Sequence, residues 1–166
     1  VVVYNRYFHI PLSGLSDVQK EKGLGILSPD HLREVGPRLP TEISLTDELA
    51  KVFTQENIPI PSPVTGFALI DTGASATAID HQIAERMNIK SVGTRKVTTP
   101  SHQEPEEMPI FPVKISFPGT ELSPVTIFAT GVDIKSQNFI ALIGRDLLKD
   151  CIFIYNGKGA HFTLSR

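Results

Sequence analysis

The chain contains no tryptophan and a single cysteine, Cys151, so no disulfide can form within it. That cysteine usage fits a reducing compartment such as the cytoplasm. Cys151 lies between Leu147-Leu148 and the apolar run Ile152-Phe153-Ile154, a setting that predicts a small buried hydrophobe rather than a nucleophile. Charge of one sign is not in excess: 16 basic and 18 acidic residues leave a net charge of −2. This excludes the basic footprint of a nucleic-acid or anionic-membrane binder. No apolar stretch approaches the roughly 20 residues of a membrane-spanning helix. There is no signal peptide and no Asn-x-Ser/Thr sequon. The histidines (His9, His31, His81, His102 and His161) are scattered without ligand-like spacing, so neither a metal nor a cofactor is expected. The chain does not open with methionine, as a fragment or processed form would not.

What is present is ordinary in amount and specific in arrangement. A length of 166 residues with 40% hydrophobic content suits one domain with a proper core. Thirteen prolines and twelve glycines point to a strand- and loop-rich chain rather than a helical bundle. Val1-Val2-Val3-Tyr4 is strand-like, and residues 10–27 read as loop. Ser28-Pro29 starts a helix that stops at Gly36. A half-buried strand follows at Leu39–Leu45, and Thr46 caps a helix from Asp47 to Gln55 with Leu49, Val52 and Phe53 on one face.

The chain is organised around Phe67-Ala68-Leu69-Ile70-Asp71-Thr72-Gly73-Ala74-Ser75. The apolar run reads as a buried strand that ends at an aspartate followed by small turn formers. A carboxylate at that position needs hydrogen-bond donors around it. The small residues let backbone N–H groups approach, and Gly73 is free to take angles closed to other residues. Taken alone, the same residues describe an Asx-turn that merely ends a strand. Farther along, Ala141-Leu142-Ile143-Gly144 repeats Ala68-Leu69-Ile70-Asp71 with glycine for aspartate, and Arg145-Asp146-Leu147-Leu148 follows. Between the two blocks, Ala76–Ile79 continues as a strand. Asp80 then caps a helix from His81 to Met87 with Ile83, Ala84 and Met87 inward. Val92–Thr99 and Met108–Phe117 form a hairpin, Val125–Ala129 a strand and Gly131–Asn138 a polar loop. Phe139–Ile143 is a strand, Asp146 caps a helix over Leu147–Lys149, and Asn156-Gly157 marks a C-terminal hairpin.

A strand ending in Asp-Thr-Gly, paired with a later strand ending in Ile-Gly-Arg-Asp-Leu-Leu, resembles the retropepsin-like, single-domain aspartic proteases. The resemblance covers roughly residues 37–165 and is strongest at these two blocks. The helix and proline-rich loop before Asp71 are closer to bacterial or cellular members than to viral ones. The resemblance implies a mainly β, closed-barrel acid-protease fold over residues 37–166, with residues 1–36 as an N-terminal extension. It implies an aspartic endopeptidase in which Asp71, Thr72 and Gly73 form the catalytic loop. Ala74, Ser75 and Ile143 would line the substrate site together with Thr99, Pro100 and Ser101 of a flap. Gly144, Arg145 and Asp146 would give structural support. An apolar cleft lined by Ile79, Ile110 and Ile143 would favour hydrophobic side chains beside the cut bond.

This flap has no glycine between Thr94 and Pro118, unlike the usual mobile tip. Ser75 stands where viral members carry a second aspartate, so Arg145 must find another acceptor, a backbone carbonyl or a partner-chain carboxylate. Ala74 stands where pepsin-like enzymes often have serine, and losing that hydroxyl donor predicts a weakly acidic optimum. Because the chain has one Asp-Thr-Gly, the reading requires a homodimer with one Asp71 from each subunit. The partners expected are a second copy and a peptide or protein substrate, with neither nucleic acid nor membrane. Two other readings stay open: a catalytically weak or inactive module of the same fold that dimerises or binds peptides, and an unrelated small β-barrel that binds a ligand or serves structure.

Overall fold

The computed structural model describes residues 7–8, 28–98, 104–134 and 137–166. The strand expected at Val1–Tyr4, the loop at 10–27 and the flap tip with Thr99, Pro100 and Ser101 lie outside them. The chain is mainly β, as expected. Its strands are β1 (Tyr7–Phe8), β2 (Arg38–Ser44), β3 (Val64–Ile70), β4 (Ala78–Asp80), β5 (Gly93–Val97), β6 (Glu106–Ser116), β7 (Val125–Val132), β8 (Ala141–Ile143), β9 (Ile152–Asn156) and β10 (His161–Ser165). The helices are α1 (Pro29–Val35), α2 (Asp47–Gln55), α3 (His81–Arg86) and α4 (Arg145–Leu148).

Three helix starts follow the capping logic of the sequence. The Ser28 hydroxyl accepts the His31 N–H at 3.1 Å, Thr46 accepts that of Leu49 at 3.2 Å, and Asp80 accepts that of Gln82 at 3.0 Å. Each satisfies a donor the helix cannot use internally. Met87, Ile83 and Ala84 face the core as expected. Val52 does not. It is 47% exposed, because α2 meets the sheet through Phe53 and leaves its neighbouring position in solvent.

Sheet pairing runs β2-β3-β8-β4-β7-β6-β5, and β2 also pairs with β6, so six strands close a ring. Two of its ladders are parallel, β3 with β8 and β4 with β7; the others are antiparallel. The repeated triplet explains the first of these. Ala68, Leu69 and Ile70 lie in register beside Ala141, Leu142 and Ile143, so like residues face like across the ladder. Inside the ring Leu39, Ile43, Ile79, Val113, Ile115 and Ile143 are at most 1% exposed. Each contributes about 1.5–3 kcal/mol relative to leaving it in water. Ile79 and Ile143 are therefore core residues in this chain, not cleft surface, whereas Ile110 is half-buried.

Several boundaries differ from expectation. Strand β4 begins at Ala78, so Ala76 and Thr77 belong to the turn before it. Strand β7 runs on through Gly131 and Val132, because β4 supplies a parallel partner there. Strand β8 is only Ala141–Ile143, and Phe139 packs as buried coil. Helix α4 starts two residues earlier than expected, with Gly144 rather than Asp146 at its N-cap.

A second sheet has the order β1-β10-β9. Asn156-Gly157 does open the β9–β10 hairpin, through a turn in which Asn156 Oδ1 accepts the Gly159 N–H at 2.8 Å and Ala160 takes φ 54°. Among the described residues no helix is long and apolar enough to cross a membrane.

Cys151 is partly buried, and its Sγ donates to the Leu147 carbonyl at 3.5 Å. Burial pushes its thiol above the ordinary cysteine range. The native thiol is expected to react with iodoacetamide at pH 8 at least about tenfold more slowly than in guanidinium, following its thiolate fraction and access. Equal rates would show the site is open. The sign of the shift also means that Cys151 lowers stability as pH rises above the ordinary thiol range, where the unfolded chain loses its proton first.

Candidate active site

Strand β3 delivers Asp71 to the end of the ring, and β8 holds it there. The Asp71 N–H donates to the Ile143 carbonyl at 3.0 Å, extending the parallel ladder by one bond. The chain then turns sharply. Asp71 Oδ1 accepts the N–H of Gly73 at 2.9 Å and that of Ala74 at 3.2 Å. Among the described residues no donor reaches Oδ2. Asp71 is half-buried, and Thr72, Gly73 and Ser75 are exposed. Gly73 does not use the left-handed region; among the described residues the positive-φ glycines are Gly36 and Gly119. What it supplies is closeness, since a Cβ there would sit 3.1 Å from Asp71 Oδ1.

The opposite strand end is built as a support. Gly144 occupies the position equivalent to Asp71, and its N–H donates to Thr77 Oγ1 at 3.1 Å. The Thr77 hydroxyl donates in turn to Asp146 Oδ1 at 2.7 Å, and the Thr77 N–H reaches the same oxygen at 2.9 Å. Asp146 Oδ1 also takes the Leu147 N–H at 2.9 Å, so it serves the helix start from inside its first turn. Thr77 is fully buried. Sequence reasoning missed it; a threonine just before the apolar Ala78-Ile79 was the available signal.

Arg145 finds its acceptors in the turn itself. Its Nη1 donates to the Thr72 and Gly73 carbonyls, both at 2.7 Å. These carbonyls belong to the same two peptide units whose N–H groups face Asp71. The guanidinium therefore holds the oxygen end of each unit while the carboxylate holds the nitrogen end. Both peptide dipoles align between a cation and an anion, an arrangement that charge-assisted hydrogen bonds strengthen. The Arg145 N–H also donates to the Ala74 carbonyl at 3.0 Å, tying α4 to the loop.

The structure thus brings Asp71–Ser75 together with Gly144, Arg145 and Asp146. Ile143 joins them through its backbone carbonyl, while its side chain stays in the core. Thr99, Pro100 and Ser101 lie outside the described residues. Among those described, no group of acidic, histidine or cysteine side chains could hold a metal ion.

A ring of β-strands with an Asp-Thr-Gly turn at one strand end defines a class, that of the acid-protease folds. The chain belongs to the aspartyl protease family: residues 63–147, just over half of it, match the family described as "Aspartyl protease". It is similar to the solved protease of Simian Foamy Virus (mac), at 12% identity over 68% of this chain and 91% of that one, with a TM-score of 0.42. It is also similar to a retropepsin-like aspartic protease from Rickettsia conorii, at 20% identity over 62% of this chain and 74% of that one, with a TM-score of 0.39. No curated protein matches the chain.

Proposed function

We propose that the protein is an aspartic endopeptidase that works as a homodimer, with residues 37–166 as the protease domain and residues 1–36 as an extension. One observation carries the reading. Asp71 stands at a strand end with two N–H donors on one oxygen, while its counterpart Gly144 has no carboxylate and no room for one. A dyad then needs Asp71 from each of two copies on a two-fold axis. Two carboxylates that close share one proton. The ionised member takes a proton from a bound water, whose oxygen attacks the peptide carbonyl carbon. The protonated member hydrogen-bonds the carbonyl oxygen and then gives its proton to the amine nitrogen as the C–N bond breaks, so the pair is left holding the one proton taken from the water. Thr72 stiffens the paired loops across the axis, and Ala74 and Ser75 border the bound peptide. Strand β9 is an edge strand with Ile152 60%, Ile154 54% and Tyr155 46% exposed. It offers apolar surface to a second copy.

The test is cleavage of a diverse peptide library between pH 4 and 7, with the mass of the protein measured in solution alongside. Cleavage by a dimer supports the reading. A dimer that binds but never cleaves would favour a peptide-binding module, and a monomer that cleaves would overturn the shared dyad.

The Arg145 contacts add a graded expectation. Arg145→Met removes the cation from two carbonyls and is expected to lower kcat/KM about 10- to 100-fold, the worth of hydrogen bonds to a charged group. Arg145→Lys, which keeps the charge, should recover part of that loss. Equal activity in all three proteins would mean that the turn holds its shape without the guanidinium.

A further inference from the structure

Arg95 lies on β5, the first strand of the β5–β6 hairpin, and its side chain is half-buried. It stands directly opposite Met108, and opposed residues share a face of the sheet. Ile110 is next along that face, and Thr130 is paired with Ile110 on the far side. Arg95 spans this distance: its Nη1 donates to Thr130 Oγ1 at 2.8 Å. Thr130 is 3% exposed, and its N–H donates to the carbonyl of Thr77, the residue that braces Gly144 and Asp146. The guanidinium is therefore anchored at the strand ends that carry the Asp71 loop, with Met108 and Ile110 as apolar walls.

Among the described residues no carboxylate lies within ion-pairing distance of Arg95, although the hairpin carries Glu107 opposite the neighbouring Lys96. A guanidinium has five donors, and the bond to Thr130 uses one of them on a neutral hydroxyl. Partly burying a cation without an anion is unfavourable unless an anion arrives from elsewhere. Arginine is the residue best suited to receive a carboxylate, through its planar fork.

We infer that Arg95 is a specificity residue that receives an acidic side chain of the substrate, glutamate better than aspartate because Met108 and Ile110 line the approach. This rests on the endopeptidase reading and names a substrate class within it. Ladders run from β3 through β8 and β4 to β7, so the strand of Thr130 lies three spacings from that of Asp71, a path of about 14 Å around the ring that its curvature shortens. An extended peptide advances about 3.3 Å per residue, so the acidic side chain falls within about four residues of the cut bond.

The experiment uses the full chain and a cleaved peptide from the library, resynthesised with Glu, Gln or Lys at each position within five residues of the cut. The wild type should prefer Glu over Gln at one position by about tenfold in kcat/KM, the lower end for a hydrogen bond to a charged group. Arg95→Gln should abolish that preference, so that the Glu and Gln peptides are cleaved at equal rates. Arg95→Glu should reverse it in favour of a Lys peptide. Cleavage with no Glu preference at any position, or a preference unchanged in Arg95→Gln, would overturn the inference and leave the protease reading intact. No cleavage of any peptide by the wild type would overturn both.

Discussion

Asp71→Asn is expected to remove peptide cleavage, by about a thousandfold or more, while leaving the chain folded and dimeric. The size follows from what the side chain does in the proposed mechanism. General acid–base transfer alone is worth about 10²- to 10⁴-fold, and here both members of the pair lose their proton chemistry together. Structurally the substitution is mild. An asparagine Oδ1 accepts the Gly73 and Ala74 N–H groups as the carboxylate does, and the bond from the residue's own N–H to Ile143 is untouched. Melting temperature and solution mass should stay near wild type. The sharper measurement is mixing. If wild-type and Asp71→Asn subunits pair at random in equal amounts, about one quarter of dimers keep both carboxylates, so activity should fall to roughly 25%. Activity at one half would mean each chain works alone, and the shared dyad would be wrong.

The parts legible in the sequence were those with a local cause. Ser28, Thr46 and Asp80 each precede an apolar-periodic run, and each caps its helix. The repeated Ala-Leu-Ile was legible as two similar strands, and the structure adds that they are neighbours in register. The rest depended on contacts between distant residues. That Arg145 would take a backbone carbonyl was open from the sequence, but not which ones: they lie more than 70 positions away, and a backbone oxygen leaves no trace in the residue type that carries it. Asp146 looked like a helix cap because aspartate before Leu-Leu usually is one, but Thr77 drew its carboxylate into a link between loops. Val52 fitted the periodicity of α2, and only the direction of approach of the sheet leaves it outside. Arg95 had no sequence signal, since an arginine among alternating residues of a hairpin reads as an ordinary solvated position.

Gly144→Ala is expected to cost about 3 kcal/mol, the upper end for forcing atoms into a packed interior. The added Cβ would stand 2.4 Å from the Ala76 carbonyl carbon, 2.6 Å from its oxygen and 2.7 Å from the Thr77 nitrogen. These are backbone atoms, so no side chain can swing aside. Moving them would pull Thr77 away from Asp146 and from the Gly144 N–H. For a chain of this length the loss corresponds to a fall of about 6–12 °C in melting temperature. A melt within about 2 °C of wild type would show that the turn yields easily. The same geometry bears on function. Gly144 is the position that matches Asp71 in the repeated strand, and Gly144→Asp must push its Cβ through the same backbone. That variant should lose stability at least as much as Gly144→Ala and gain no activity as a monomer. In the proposed dimer, packing at Gly144 and the single Asp-Thr-Gly then both argue for a second subunit.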